Sequence, residues 1–318
     1  MSLAISARRS FAKYAWIVLG YTVIVIMWGA YVRATGSGAG CGDHWPLCNG
    51  EIIPRDPGAA RIIEFSHRLS SGLSLILVAV LVFWSRRIYA AGHGIRRASV
   101  WALAFILGEA LVGATLVILQ LVAGNDSALR AVVIAFHLIN TFLLLFFQTR
   151  VAFLAGQEHR STVVDQVNSG RARFNMLLCM AALVVTGAAG AIVALGDTLF
   201  PSQSLAQGMA EDFSPTAHFL IKLRIWHPVI AVFATIYILL QSIILPRVFK
   251  NIVDRKLALI VSGLVVIQLL GGFVNWILLA PVWMQLVHLM LADITWIALC
   301  LWYFNIGRVA VRQEGENV

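Results

Sequence analysis

Ile63-Glu64-Phe65-Ser66-His67-Arg68-Leu69 stands at the mouth of a long apolar run, residues 62–84. A glutamate, a histidine and an arginine fall within five residues there. On a helix of 3.6 residues per turn, Glu64 and His67 share one face, so a ligand held by the imidazole could also meet the carboxylate. Ionisable groups inside an apolar run point to function by default. The other reading is an interfacial helix start, with Glu64 at the positive N-terminus and His67 and Arg68 reaching up to water. The stretch alone does not separate the two.

Outward from it, the same kind of run recurs. Residues 14–32, 62–84, 98–122, 131–154, 174–195, 225–245, 257–279 and 282–304 are each long enough, at about 20 residues, to cross a hydrocarbon core of roughly 30 Å. Composition agrees: 60% of the residues are apolar and 12% charged, and the mean hydropathy is +0.84, against roughly a quarter charged in soluble domains. The expected fold is an all-α polytopic membrane protein of eight transmembrane helices.

The net charge of +9 would suit nucleic acid if the basic residues clustered on one soluble face. They lie between the apolar runs instead, which makes them topology signals and gives no role to nucleic acid. With alternating sidedness, segments 1–13, 85–97, 150–173, 246–256 and 305–318 hold 17 of the 24 Lys and Arg, so both termini are expected in the cytoplasm. The first apolar run is too long for a cleavable signal and lacks a small-residue cleavage site.

The polar connection 155–173, with Ser169-Gly170, divides the chain. The expected units are a cytoplasmic N-terminus 1–13, an N-terminal half 14–154, the linker 155–173, a C-terminal half 174–304 and a cytoplasmic tail 305–318. Each half holds four runs, so the chain returns to the same side, and the halves are expected to be four-helix bundles related as parallel repeats. Glu109 followed by Gly113 in run three is matched by Gln268 followed by Gly272 in run seven.

The first outer loop carries Cys41 and Cys48 among Gly36, Gly38, Gly40 and Gly42. A close cysteine pair in an oxidising compartment is expected to form a disulfide, worth about 2–3 kcal/mol in the chain-entropy model. Free thiols, or a metal site with His44, are the alternatives. Cys179 and Cys300, inside runs five and eight, read as small apolar core residues.

Position is the strongest signal. Four histidines lie inside apolar runs, His67, His137, His227 and His288, each within about two turns of the outer end of an even-numbered run. At 1.5 Å per residue they form one layer roughly 5–10 Å deep. A single buried histidine is usually a hydrogen-bonded core residue, but four recurring once per helix pair are not. Haem iron takes two facing imidazoles inside a four-helix unit. Zinc takes three or four close ligands and finds only Glu64 nearby. The pairs are therefore His67 with His137 and His227 with His288, one haem-sized pocket per half.

Seven Lys or Arg remain outside the cytoplasmic set, and five of them, including Arg68, Arg130, Lys222 and Arg224, lie within seven residues of His67, His137 or His227. Haem propionates at this edge would find cations there, while snorkelling at helix ends explains the placement too. Glu64 has no counterpart beside His227, so chemistry is assigned to the N-terminal pocket and electron transfer to the C-terminal one. Pro228 is expected to kink run six just inside His227. Glu109, near the middle of run three, reads equally as part of a proton path or as a neutral hydrogen-bonded acid.

Glu64-Phe-Ser-His67-Arg68, the loop from Arg33 through Cys41 and Trp45-Pro-Leu-Cys48, Phe136-His137-Leu-Ile-Asn140, Trp226-His227-Pro228 and Val287-His288-Leu together resemble the haem A synthase family over nearly the whole chain. The resemblance implies an oxidoreductase that converts the ring D methyl group of haem O to a formyl group, by stepwise hydroxylation and loss of water. It implies that His67 and His137 hold the substrate haem, that Glu64 is catalytic, and that His227 and His288 are the axial iron ligands of a haem b cofactor. Haem O synthase, a quinone or other electron acceptor, and membrane lipid are the partners implied. The short N-terminus points to the plasma membrane of a prokaryote.

One departure concerns cysteine. Some members carry a pair in the third outer loop, whereas residues 196–217 here contain none. Two readings from other classes use the same residues. A dihaem b-type cytochrome would move electrons to or from quinone without modifying haem, and a repeat-built transporter would use Glu109 and Asp293 as pathway acids.

Overall fold

The computed structural model describes residues 2–55, 58–157, 164–166, 170–249, 254–306 and 308–310. Much of the expected linker, Ser169 included, and most of the tail, 311–318, lie outside the described residues. Helices α1 (Ser2–Ala34), α2 (Ala59–Ile88), α3 (Gly94–Ile118), α4 (Ala128–Gln157) and α5 (Gly170–Leu199) follow in order. A short α6 (Leu205–Asp212) and a single turn α7 (Phe219–Lys222) come next, then α8 (Trp226–Val248), α9 (Arg255–Ile277) and α10 (Val282–Asn305). Among the described residues, eight spans are long and apolar enough to cross a membrane, with α7 and α8 forming one of them, Phe219–Val248. Val164–Gln166 and Arg308–Ala310 pair as a short antiparallel ladder.

Most helices extend beyond the apolar runs, because Arg at their ends, such as Arg86 and Arg87 of α2, is a good helix former that keeps its charge in water. Two runs are instead overcalled at their C-terminal ends. α3 stops at Ile118, where residue 122 was expected, and α9 stops at Ile277, where 279 was expected. Gln120 and Leu279 take the left-handed conformation, with φ of 52° and 61°. The next amides close back five residues, Leu121 N–H to Leu116 O and Ala280 N–H to Asn275 O, both at 2.8 Å. This is a Schellman closure, in which glycine is the usual residue. Neither site has one, so hydropathy ran on past the real stop.

Pro228 also behaves differently from expectation. The break in the sixth span lies before His227, at a 3-10 turn Leu223–Ile225, and Pro228 sits in the first turn of α8. No intrahelical N–H donor is required of it there, so it starts the helix and does not kink it.

α1, α2, α3 and α4 pack as a closed ring, α1 on α2 and α4, α3 on α2 and α4; α5, α8, α9 and α10 close a second ring in the same way. The two rings meet where α4 and α1 pack on α5 and α10. A shared core fills that seam. Phe142 of α4 stacks on Trp296 of α10 with ring centroids 4.8 Å apart, and the Trp296 indole N–H donates to the Phe142 carbonyl at 2.8 Å. Trp302, Leu299, Cys300, Cys179 and Met176 are fully buried in the same cluster. The outward faces are apolar as well: Leu111, Phe83 and Phe233 are among the exposed large side chains. An assembly apolar both inside and outside, with its backbone satisfied within helices, suits lipid as its solvent.

Candidate functional site

The histidines His67 and His227 lie eight residues into their spans, from Ala59 and Phe219, His137 nine from Ala128, and His288 six from Val282. At 1.5 Å per residue that is about 9–14 Å from the span ends. His67, His137 and His227 are deeper than expected because their helices begin before the apolar runs do, whereas the helix of His288 begins where its run does, at Val282.

In the first ring, the His67 ring of α2 lies against Gly29 of α1. A Cβ added there would come within 2.9 Å of Cε1 and 3.0 Å of Nε2. Only a glycine lets the imidazole so close to the neighbouring helix. Nδ1 of His67 has no hydrogen-bond partner among the described residues. His137 of α4 lies within electrostatic range of His67, and its Nδ1 is 3.0 Å from Oε2 of Glu109 on α3, close enough for an ion pair but outside hydrogen-bond geometry. Glu109 is held in turn by Asn140 Nδ2 at 2.6 Å and Thr141 Oγ1 at 3.1 Å, both donating to Oε1.

Glu64 is buried beside this pair, and its two oxygens are divided between two tasks. Oε2 accepts the backbone N–H of Cys41 at 2.8 Å. Oε1 pairs with Arg68, one turn later on α2. Arg68 also donates to the carbonyls of His44 at 2.6 Å and Leu47 at 2.7 Å. Cys41 and Cys48 are joined as a disulfide, with Cα atoms 4.4 Å apart. Gly40 touches the start of α2, where an added Cβ would fall 2.5 Å from the Ala60 carbonyl carbon. The loop is thus a cap pinned to the helix that carries His67.

In the second ring, Nδ1 of His227 lies 3.1 Å from the carbonyl oxygen of Thr186 on α5. A neutral imidazole can make that bond only as the donor, which leaves Nε2 bare. Its ring lies against Gly190, where an added Cβ would meet Cε1 at 2.8 Å, and the His288 ring lies against Gly272, with 3.0 Å to Cε1. The two ring centroids are 6.5 Å apart at 86°. Two metal–imidazole bonds of about 2 Å each, with half a ring behind each nitrogen, fit within that separation. Gln268 of α9 places Nε2 3.3 Å from His288 Nε2 and 3.2 Å from the His288 carbonyl, while Nδ1 of His288 has no hydrogen-bond partner among the described residues.

These imidazoles, each with a nitrogen lacking a protein partner or set bare by its tautomer, suit axial ligation of a flat metal macrocycle. Among the described residues no three His, Cys, Asp or Glu side chains converge to hold a bare metal ion. A ligand set of two per pair falls below that count and leaves the other coordination positions to the macrocycle.

The basic residues named from sequence are occupied by protein. Arg130, buried, donates to the carbonyls of Ala123 at 2.7 Å and Asn125 at 2.6 Å. Lys222 donates to Pro215 O at 2.7 Å. Arg224 pairs with Asp197 at 2.9 Å and lies 3.9 Å from Asp212. Desolvation pushes the Asp212 carboxyl above its ordinary range, against the pull of Arg224. Arg33, which the sequence offered only as the start of the outer-loop motif, reaches from α1 to Ala194 O at 2.7 Å and Thr198 Oγ1 at 2.8 Å on α5, and to Gln285 Oε1 at 2.9 Å on α10. Its conspicuous place at the end of the first run was the signal. Asp293 is fully buried in α10, and neither oxygen has a hydrogen-bond partner among the described residues.

Comparison with known proteins adds the following. The sequence model of the COX15-CtaA family, described as cytochrome oxidase assembly protein, matches residues 12–300. Over 286 residues the chain is 44% identical to a protohaem IX farnesyltransferase of Thermus thermophilus, covering 90% of this chain and 46% of that protein. Over 146 residues it is 37% identical to a haem A synthase of Bacillus cereus, covering 45% of each, and it matches one from Bacillus anthracis to the same extent. The chain spans about half the length of the curated relatives it matches.

Proposed function

The chain belongs to the COX15-CtaA family of cytochrome oxidase assembly proteins, and from that premise we propose that it oxidises the ring D methyl group of haem O to a formyl group, giving haem A. The observation that carries this reading is an asymmetry between two otherwise matching imidazole pairs. Beside His67 and His137 stand two carboxylates, Glu64 three residues before His67 and Glu109 at 3.0 Å from His137. The partners of His227 and His288 are neutral: the Thr186 carbonyl and the Gln268 amide.

In this reading His67 and His137 hold haem O as substrate, and His227 and His288 hold haem b. When bound, the haem b supplies one-electron redox chemistry. The chain's own residues do the rest. Glu64 keeps a carboxylate at the substrate pocket, where it accepts a proton or stabilises a cationic carbon as the methyl group is oxidised. Arg68, by gripping both Glu64 and the disulfide loop, fixes that carboxylate and keeps the cap closed over the pocket. Arg68, Arg130, Lys222 and Arg224 meet propionates only by exchanging or sharing their present carbonyl and carboxylate partners. The glycines at 29, 190 and 272 set the imidazole positions by leaving no slack behind the rings.

The two helix rings are read as parallel repeats. The equal four-residue spacing of Glu109 to Gly113 and Gln268 to Gly272, and the glycine behind His67 and His227 alike, support this. The placement of 17 of 24 Lys and Arg supports cytoplasmic termini, and the eight apolar spans with the bacterial relatives support a multi-pass protein of a prokaryotic plasma membrane.

Farnesyl transfer is named for the Thermus thermophilus proteins, more than half of whose length lies outside the match. A transferase that farnesylates protohaem IX and an enzyme that oxidises a farnesylated haem act on consecutive forms of one macrocycle. The likeness therefore supports haem O synthase as supplier, with a quinone or another acceptor taking the electrons.

The test is expression in cells that make haem O but no haem A, with mass spectrometry of the extracted haems. Haem A, or a hydroxylated haem O, is expected. Haem b alone, with ample haem O present, would replace this function with that of an electron-transfer cytochrome.

A further inference from the structure

We propose that Glu109 is a positioning residue that makes His137 a stronger, more electron-rich ligand than any imidazole of the second ring, so that iron held in the first ring has the lower reduction potential. The inference rests on the haem reading above.

An acid in the middle of an apolar span is costly unless its charge is met. Glu109 meets it with donors from α4. Asn140 and Thr141 both donate to Oε1, which leaves Oε2 directed at Nδ1 of His137, 3.0 Å away. Asn140 is fixed in turn. Its Nδ2 also donates to the Phe105 carbonyl at 2.8 Å, and Gly108 makes room for it, since a Cβ there would fall 2.7 Å from Asn140 Oδ1. Three residues on two helices therefore aim one carboxylate oxygen at one ring nitrogen. Oε2 lies 3.0 Å from Nδ1 without hydrogen-bond geometry, so the carboxylate acts on the imidazole through its charge, which favours a proton on Nδ1 and the lone pair on Nε2. A carboxylate behind a ligating imidazole raises its basicity, and a more basic axial ligand favours the oxidised metal.

The second ring repeats the position without the charge. Gln268 stands four residues before Gly272, as Glu109 stands four before Gly113. Its amide nitrogen lies 3.3 Å from His288 Nε2, the other ring nitrogen from the one Glu109 faces on His137, and its Oε1 has no hydrogen-bond partner among the described residues. An amide is neutral whichever way it faces, and the other ligand, His227, bonds a backbone carbonyl. The ordering of potentials places the electron-accepting site in the second ring.

The experiment is a spectroelectrochemical titration of the full-length chain purified with protohaem, comparing wild type with Glu109→Gln and Gln268→Glu. His227→Ala assigns the wave of the first ring. Glu109→Gln is expected to raise the midpoint of the first-ring haem and leave the other in place. Gln268→Glu is expected to lower the midpoint of the second-ring haem, and it decides the matter if Glu109→Gln fails to fold. Haem bound in both rings, with midpoints unmoved by either exchange, would overturn this inference alone. A wild-type chain that binds no haem would overturn the haem reading and this inference with it.

Discussion

Arg68 and Glu64 are one turn apart on α2, and their ion pair ties the pocket to its lid: the carboxylate also accepts the Cys41 amide, and the guanidinium also grips the His44 and Leu47 carbonyls. Buried charge, cap and disulfide form one connected unit beside His67. Removing Arg68 leaves the buried Glu64 carboxylate without its counter-charge, which is the costly case for an ion pair, whereas without Glu64 the half-buried Arg68 keeps its carbonyl partners.

Glu64→Gln keeps an acceptor for the Cys41 N–H but removes the charge. Haem content of the purified protein is expected to stay near wild type while haem A formation is lost. A normal haem A yield from this variant would remove Glu64 from the chemistry and leave it as a clamp.

Arg68→Lys keeps the charge and loses the planar fork that reaches several acceptors at once. The loop should open more often, so the Cys41–Cys48 bond is expected to be reduced faster by an added thiol, read by alkylation and mass shift. An unchanged reduction rate would show that the loop is held without Arg68.

Gly190→Ala places a Cβ 2.8 Å from His227 Cε1, closer than real contacts allow, and the His227 ring must shift. Lower haem b occupancy and a weakened bis-imidazole spectrum are expected, with the first-ring haem retained. Gly20→Ala, at a position with open space around it, serves as the control and should leave both haems in place.

Trp296→Phe loses the indole N–H bond to Phe142 while keeping an aromatic ring at the seam, a cost of about 1 kcal/mol. Trp296→Ala empties a buried site and should cost about 3–5 kcal/mol. The thermal midpoint in detergent is expected to fall in the order wild type, Phe, Ala. Equal midpoints for Phe and Ala would mean that packing across the seam contributes little.

Hydropathy alone gave the eight spans, because lipid-facing helices must be apolar along their whole length, and the recurrence of histidine gave the two pairs. Less legible were features that depend on contacts between distant segments. The stops after Ile118 and Ile277 rest on left-handed Gln120 and Leu279, residues that carry no turn signal. The glycines behind His67 and His227 lie 38 and 37 residues earlier, on another helix, and nothing local marks them as cradles. Arg68, Arg130, Lys222 and Arg224 were expected to meet propionates, yet their partners are carbonyls and, for Arg68 and Arg224, carboxylates, which sequence spacing does not reveal. Glu109 was visible as an anomaly, and its partner His137 became evident only when α3 packed on α4.

The central claim is that the two imidazole pairs do different work, substrate in the first ring and cofactor in the second. The most direct measurement is the identity of the haems extracted from two variants made in cells supplying haem O. His137→Ala is expected to lose haem O and haem A and keep haem b. His288→Ala is expected to lose haem b and keep haem O bound, with haem A formation stopped. Loss of haem O from His288→Ala with its retention in His137→Ala would reverse the assignment and contradict the account.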